Sequence, residues 1–277
     1  MKADIIWLAS TDSTNEEAKR RISDIDNLSV VSALEQTSGR GQRGNQWYSA
    51  PGQNLLFSIV LKSPSLIAKN HFALNEMAAL SVTDFLSAYG IKAEIKWPND
   101  IYVGEKKICG ILIENSFLGN AISSSIIGIG LNINQRNFNV SLPNPTSLVL
   151  CSAQDEPLDI DRCLCRFMDI FTSYHDRFLT SDSDLTPLRQ HYLDALWRSG
   201  KLSRFIDFTI LPTGHLDGPM NLYIPEAPDT DILPQYQSGN VFPGIIRGLS
   251  ETGNLLVEDL TAGIVREFGF KEIGYIL

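Results

Sequence analysis

The strongest constraint on the fold of this 277-residue chain is a change of texture near Gly200. Upstream, short β-type runs are interspersed with long stretches of helical apolar spacing. Downstream, only short strand-like pieces separated by turn signals remain. The upstream strands are read at Ser29–Leu34, Asn54–Leu61, Lys92–Trp97, Lys107–Glu114 and Ser124–Ile133. Helices are read at His71–Tyr89, with Gly90 as a ready C′ residue, at Asp161–Leu179 and at about Thr186–Arg198. A first helix starts near Asp12–Thr14, where capping residues precede Asn15-Glu16-Glu17-Ala18. In the tail, strand-like pieces fall at Arg204–Leu211, Leu222–Ile224, Pro243–Leu249, Leu255–Asp259, Ile264–Phe268 and Glu272–Ile276. Hairpin turns are read at Glu251–Asn254 and Thr261–Gly263. The pattern predicts an α+β chain: a mixed domain over residues 1–200 and a small all-β domain over 201–277, with a loop or insertion near 212–240.

Composition narrows the function classes. At 43% hydrophobic residues the chain has the apolar content that disordered chains lack. With 23 basic and 32 acidic residues its net charge is −9, which argues against counterion-displacing contact with DNA but leaves room for a small cationic site. No apolar run approaches the roughly 20 residues that span a bilayer. The N-terminal cluster Ile5-Ile6-Trp7-Leu8 has no signal-peptide pattern, so a soluble cytoplasmic protein without membrane contact is expected. The four cysteines (109, 151, 163, 165) match neither a disulfide framework nor a zinc knuckle, and the four histidines are scattered.

Four segments carry chemistry. The first is Gln36-Thr37-Ser38-Gly39-Arg40-Gly41-Gln42-Arg43-Gly44-Asn45-Gln46-Trp47. Its glycine spacing matches the dinucleotide fingerprint, but a strand follows it instead of a helix, and no acidic residue stands about 20 positions on. What remains is a glycine-rich loop with two guanidinium groups, suited to cradling a phosphate, or a solvated hairpin. The second, Lys96-Trp97-Pro98-Asn99-Asp100, ends a strand at a proline, leaving Asn99 and Asp100 either as turn chemistry or as phosphate and Mg²⁺ partners. In the third, Lys107 enters the apolar run Ile108–Ile113 that ends in Glu114. Lys107 is either a solvated strand start or an ammonium set into a cleft. The fourth, Gly128-Ile129-Gly130-Leu131-Asn132-Ile133-Asn134, places glycines inside a strand, as at a bulge or a close ligand approach.

Together with Ser13-Thr14-Asn15, these segments resemble, in order and spacing, the biotin protein ligases (biotin–[acetyl-CoA-carboxylase] ligases) over roughly residues 10–150. The resemblance implies a mixed sheet flanked by helices, of the class II aminoacyl-tRNA synthetase-like type, and an SH3-like β-barrel in the tail. It implies two reactions: biotin and MgATP give biotinyl-5′-AMP and pyrophosphate, and a lysine of a biotin carboxyl carrier domain then displaces AMP. It also allows a homodimer.

By resemblance, Lys107 would hold the biotin carboxylate and the α-phosphate, and Arg40 would fold over the adenylate and shield it from water. Ser13, Thr14, Asn15 and Gln36 would orient the ureido ring. Gly39, Gly41, Gln42, Trp47, Gly110 and Gly130 would complete the biotin pocket. Arg43, Lys96, Asn99, Asp100 and Asn132 would join Arg40 on ATP, with Asp100 a transient Mg²⁺ ligand and a base toward the acceptor lysine. The stretch Asn134–Ser147 would close over adenine.

Two features depart from the pattern. Gln42 stands where many members carry a second loop arginine, a cation that Arg43 is not expected to replace, and 212–240 is extra to a compact tail. Because Ser13-Thr14-Asn15 begins twelve residues from the start, a ligase without a DNA-binding winged helix is expected. A lipoate–protein ligase of the same fold and a non-catalytic biotin- or nucleotide-binding module are the alternatives.

Overall fold

The computed structural model describes residues 4–42, 45–140, 142–152, 156–180, 183–209 and 241–276. Arg43, the Leu222–Ile224 strand and the 212–240 insertion therefore lie outside the described residues. The chain forms two compact units, Met1–Ala195 and Leu196–Leu277.

The first unit is built on a seven-stranded mixed sheet in the order β1-β2-β3-β7-β6-β5-β4. Its strands are β1 (Ile5–Leu8), β2 (Val30–Ala33), β3 (Leu55–Lys62), β4 (Glu94–Lys96), β5 (Asp100–Val103), β6 (Lys106–Leu118) and β7 (Ala121–Leu131). β1 and β2 pair in parallel and every other neighbouring pair is antiparallel. The helices are α1 (Thr14–Arg21), α2 (Phe72–Ser87), α3 (Leu148–Cys151), α4 (Ile160–Phe178) and α5 (Thr186–Asp194).

Alternation along β3 explains the layering. All of its residues but the last are buried, because both faces are covered. On one face Phe57 meets Phe167 of α4 edge-on at 5.1 Å, and Phe167 lies 6.3 Å from Phe85 of α2. On the other face Ser58 touches α1. The expected apolar stripe of α4 is thus core, with Leu164, Phe167, Met168, Phe171 and Phe178 buried. Each aromatic in it contributes on the order of 2 kcal/mol by burial. Gly90 follows α2 at φ +73°, a left-handed conformation that suits glycine.

Several boundaries differ from the sequence reading. The strand expected at Lys92–Trp97 shrinks to Glu94–Lys96, while the next two extend into a long β6–β7 hairpin. α5 stops at Asp194, and Leu196 and Trp197 belong to the second unit. α1 starts at Thr14 as expected, but Ser13 makes no side-chain cap; the Asp12 carboxylate instead accepts the Ser13 N–H at 2.8 Å.

The second unit contains a five-stranded antiparallel sheet in the order β11-β10-β9-β8-β12, an SH3-like arrangement. It is formed by β8 (Leu202–Asp207), β9 (Val241–Leu249), β10 (Leu255–Asp259), β11 (Ile264–Phe268) and β12 (Ile273–Ile276). Both expected hairpin turns are present, with Gly253 at φ +89° and Gly263 at φ +68°. Phe205, Phe242, Phe268 and Tyr275 form its core. Arg266 pairs with buried Asp207 and Asp259 while its guanidinium covers Phe268 at 4.7 Å.

Candidate active site

A sheet normally sends residues three apart to opposite faces, which would separate Lys107 from Gly110. A bulge prevents this. Tyr102 pairs with Lys107 and Ile101 with Cys109, so Ile108 is inserted without a partner. Ile108 and Cys109 are consecutively buried, and Lys107, Gly110, Leu112 and Glu114 then share one face. The cross-strand partners Gly110 and Gly130, with Gly128 two residues back, leave a glycine-floored trough along that face beside Leu112.

Two side chains occupy the trough. At Gly128 an added Cβ would lie 2.1 Å from Asn15 Oδ1. At Gly130 it would lie 2.5 Å from the Trp47 indole, and at Gly110 3.1 Å from the same ring. Glycine here permits close approach of the chain's own Trp47 and Asn15 side chains. The Trp47 indole N–H is buried with no hydrogen-bond partner among the described residues.

Trp47 is delivered by the glycine-rich loop. Arg40 bridges Gln46, Trp47 N–H donates to the Gly39 carbonyl at 2.9 Å and Gly41 N–H to the Asn45 carbonyl at 2.7 Å. Gly39 is required there, since a Cβ would stand 2.4 Å from the Trp47 carbonyl oxygen. Gln42 buries a side-chain oxygen that has no partner among the described residues.

At one end of the trough the Lys107 ammonium contacts Asp100 at 2.7 Å and lies 5.8 Å from the Trp47 ring centroid. Both residues are partly exposed, so the pair is reachable from solvent. The Lys107 backbone is clamped by the segment expected to close over adenine: its N–H donates to the Asn144 carbonyl and its carbonyl accepts from Thr146 N–H. Asn132 donates to the Thr146 carbonyl at 2.9 Å, and its buried Oδ1 has no partner among the described residues. Lys96 is buried and donates to the Tyr102 hydroxyl at 3.2 Å. Asn99 is buried too, and its amide donates to the Ile111 carbonyl, tying the turn to β6.

At the other end lies a polar relay. Gln36 Oε1 accepts from both the N–H and the hydroxyl of Thr14, at 2.7 and 3.1 Å. Ser58 donates toward Thr14 Oγ1 at 2.8 Å and Asn15 Oδ1 at 2.6 Å. Asn15 donates to the Leu112 carbonyl and to Glu114. Ser13, Thr14 and Asn15 are all buried. Arg40 projects to this end: its guanidinium pairs with Glu16 and lies 3.8 Å from Glu114.

The structure thus brings Thr14, Asn15, Gln36, Trp47, Asp100, Lys107, Gly110 and Gly130 to one trough. It turns Lys96 toward Tyr102 and uses Asn99 to hold a turn. Sequence reasoning passed over Ser58, whose signal was a lone hydroxyl inside Leu55–Lys62, a run otherwise apolar up to its last residue. It also assigned no role to Glu16, Lys19 and Glu114, which meet only in the fold.

Comparisons with known proteins agree with this fold. Residues 7–132 match the model of the biotin/lipoate A/B protein ligase family. A Bacillus spizizenii bifunctional ligase/repressor BirA is 38% identical over 109 residues, covering 39% of this chain and 33% of that protein. A biotin–[acetyl-CoA-carboxylase] ligase of Paracoccus denitrificans is 40% identical over 129 residues, 46% of this chain and 53% of that protein. The chain thus matches between a third and about half of the length of these relatives. The solved structure of an Aquifex aeolicus biotin protein ligase, in complex with biotin and ATP, superposes with a TM-score of 0.73 at 25% identity, covering 98% of each chain. Its motifs, its fold and these matches together make the chain similar to the biotin/lipoate A/B protein ligases, with the family model matching residues 7–132.

Proposed function

We propose that this chain is an ATP-dependent ligase that joins biotin to AMP and then transfers it to a lysine of a biotin carboxyl carrier domain. The observation that carries this reading is the trough itself: a glycine-floored groove with the hydrogen-bonding groups of Thr14 and Gln36, beside the Arg40–Glu16–Glu114 charges, at one end and a solvent-reachable ammonium at the other. A flat, uncharged ureido head fits the first end, through Thr14 and Gln36. The carboxylate of the same molecule reaches the second.

Adenylation brings a carboxylate to a phosphate, and two anions repel. The Lys107 ammonium offsets that repulsion and stabilises charge on the phosphoryl oxygens in the transition state. Asp100 keeps the ammonium in place and, once the anhydride has formed, is placed to take a proton from an acceptor amine. The side-chain amide oxygen of Asn132 offers an acceptor on the nucleotide side. Arg40 and the loop that bears it cover the adenylate against water, and Arg43 is assigned to the same nucleotide.

Mg²⁺ enters this scheme with the nucleotide as MgATP. No three His, Cys, Asp or Glu side chains converge among the described residues. At the Lys107 end of the trough Asp100 offers one carboxylate, which suits an ion held mainly by phosphate oxygens.

The decisive experiment is transfer of labelled biotin from ATP and D-biotin to a purified carrier domain, with mass mapping of the modified lysine. Pyrophosphate release with lipoate but not biotin would make the chain a lipoate ligase. Binding of biotin and MgATP without adenylate formation would make it a non-catalytic module.

A further inference from the structure

Arg40 is the loop residue assigned to cover the adenylate, yet its guanidinium rests on carboxylates. It pairs with Glu16, in the first turn of α1, and lies 3.8 Å from Glu114 Oε1, on the trough face of β6. Lys19 binds the same two acids, at 2.9 Å to Glu16 and 2.7 Å to Glu114. Asn15 holds the other Glu114 oxygen at 2.8 Å. Two acids and two cations therefore form a neutral quartet, and the members are held unequally. Lys19 spans both acids from within α1, whereas Arg40 comes from a separate loop and its side chain is 47% exposed. If Arg40 left, Lys19 would still neutralise part of the acid pair and Asn15 would still hold Glu114.

The quartet also sets where the loop sits. Arg40 bridges Gln46 across the loop stem, one residue from the Gly39–Trp47 hydrogen bond, so anchoring Arg40 anchors Trp47 over the trough. A phosphate at the Lys107 end of the trough would draw the same guanidinium away from the opposite end, because forked donors bind phosphate as they bind carboxylate.

We propose that Glu16 and Glu114 are positioning residues for the Arg40 loop: a built-in competing anion that holds Arg40 in the ligand-free enzyme and must yield it to the adenylate phosphate. The acid pair thereby sets how firmly the activated biotin is retained. This rests on the ligase reading above. Exposed ion pairs are weak, so neutralising one acid should change retention by roughly two- to fivefold.

The test uses the full-length protein, biotin, ATP and pyrophosphatase, without a carrier domain, and follows escape of biotinyl-AMP into solution. Glu16→Gln should slow escape by about two- to fivefold and lower KM for ATP with kcat little changed; Glu16→Asp should stay near the wild type. The advantage of Glu16→Gln should shrink as salt rises. In an Arg40→Ala background, Glu16→Gln should have no further effect. Because Glu16 is partly exposed, its variants should melt close to the wild type, and Glu114→Gln provides a second variant acting on the same guanidinium. Wild-type adenylate formation with escape unchanged or faster in Glu16→Gln would overturn this inference alone, as would an equal Glu16→Gln effect without Arg40. No biotin-dependent pyrophosphate release from the wild type would overturn the ligase reading, and this inference with it.

Discussion

In the proposed reaction, the 2.7 Å contact between Lys107 and Asp100 would determine how one trough handles two anions. The carboxylate keeps the ammonium in place without closing it off, so substrate anions displace only a partly exposed pair. Lys107→Ala should lower adenylate formation by well over tenfold, about 1.4 kcal/mol or more of barrier, measured as biotin-dependent pyrophosphate release. Gln42 is a different case. Its buried amide oxygen lacks a partner among the described residues, and it supplies no charge where many relatives of the resembled family carry arginine. Gln42→Arg should slow escape of the adenylate, read as less free biotinyl-AMP in the absence of carrier; unchanged escape would show that Arg40 alone governs retention.

Among the elements, the contact of α1 with β3 and β7 depends on one absent methyl group. At Gly128 a Cβ would lie 2.1 Å from Asn15 Oδ1, in a relay that also includes Ser58, Thr14 and Gln36. Gly128→Ala should cost about 1–3 kcal/mol by overpacking and raise KM for biotin. Adding Asn15→Ala should recover part of the stability in a denaturant titration. A second coupling joins α2 to α5. Glu76 is buried beneath Arg189, and Tyr192 of the same α5 donates to the Pro98 carbonyl at 2.8 Å, beside Asn99 and Asp100. Burial holds the Glu76 carboxyl up to about 7, above its ordinary 4.5, with Arg189 opposing. Between those values the folded protein keeps a proton that the unfolded chain has released. The stabilisation is complete below about pH 4.5 and is lost as pH rises through about 7. Glu76→Gln should flatten the fall in melting midpoint across that window; an unaltered fall would assign it to other groups.

At the scale of the whole molecule, the trough collects residues from α1, the Gly39–Trp47 loop, β3, the β4–β5 hairpin, β6 and β7. All lie in the unit Met1–Ala195. Ligands that bind only this folded arrangement stabilise it by mass action. Biotin with ATP should raise the calorimetric midpoint, by about 2.7 kcal/mol of stability at a hundredfold excess over Kd. The rise should be larger than with either ligand alone, and no shift with both would count against the site. The architecture was legible because its signals are local: a 3.6-residue stripe in α4, turn glycines at 90, 253 and 263, and strand-length runs in the tail. Much of the candidate site was legible because the order and spacing of its segments resemble one family, although each segment alone also fits an ordinary surface role.

The sequence by itself determined the element types, the two-part character of the chain, and the loop, lysine and glycines of the candidate site. Backbone conformation and burial write those directly into residue choice. Only the tertiary structure decided which face each residue takes and which charges meet. A single inserted residue, Ile108, reverses the parity of β6, so alternation read along the chain separates Lys107 from Gly110 while the bulge joins them. Likewise Arg40 lies 24 residues from Glu16 and Lys19 lies 95 from Glu114, separations over which no local pattern carries pairing information. Ion pairs of that span exist only after the sheet has brought α1, the loop and β6 together.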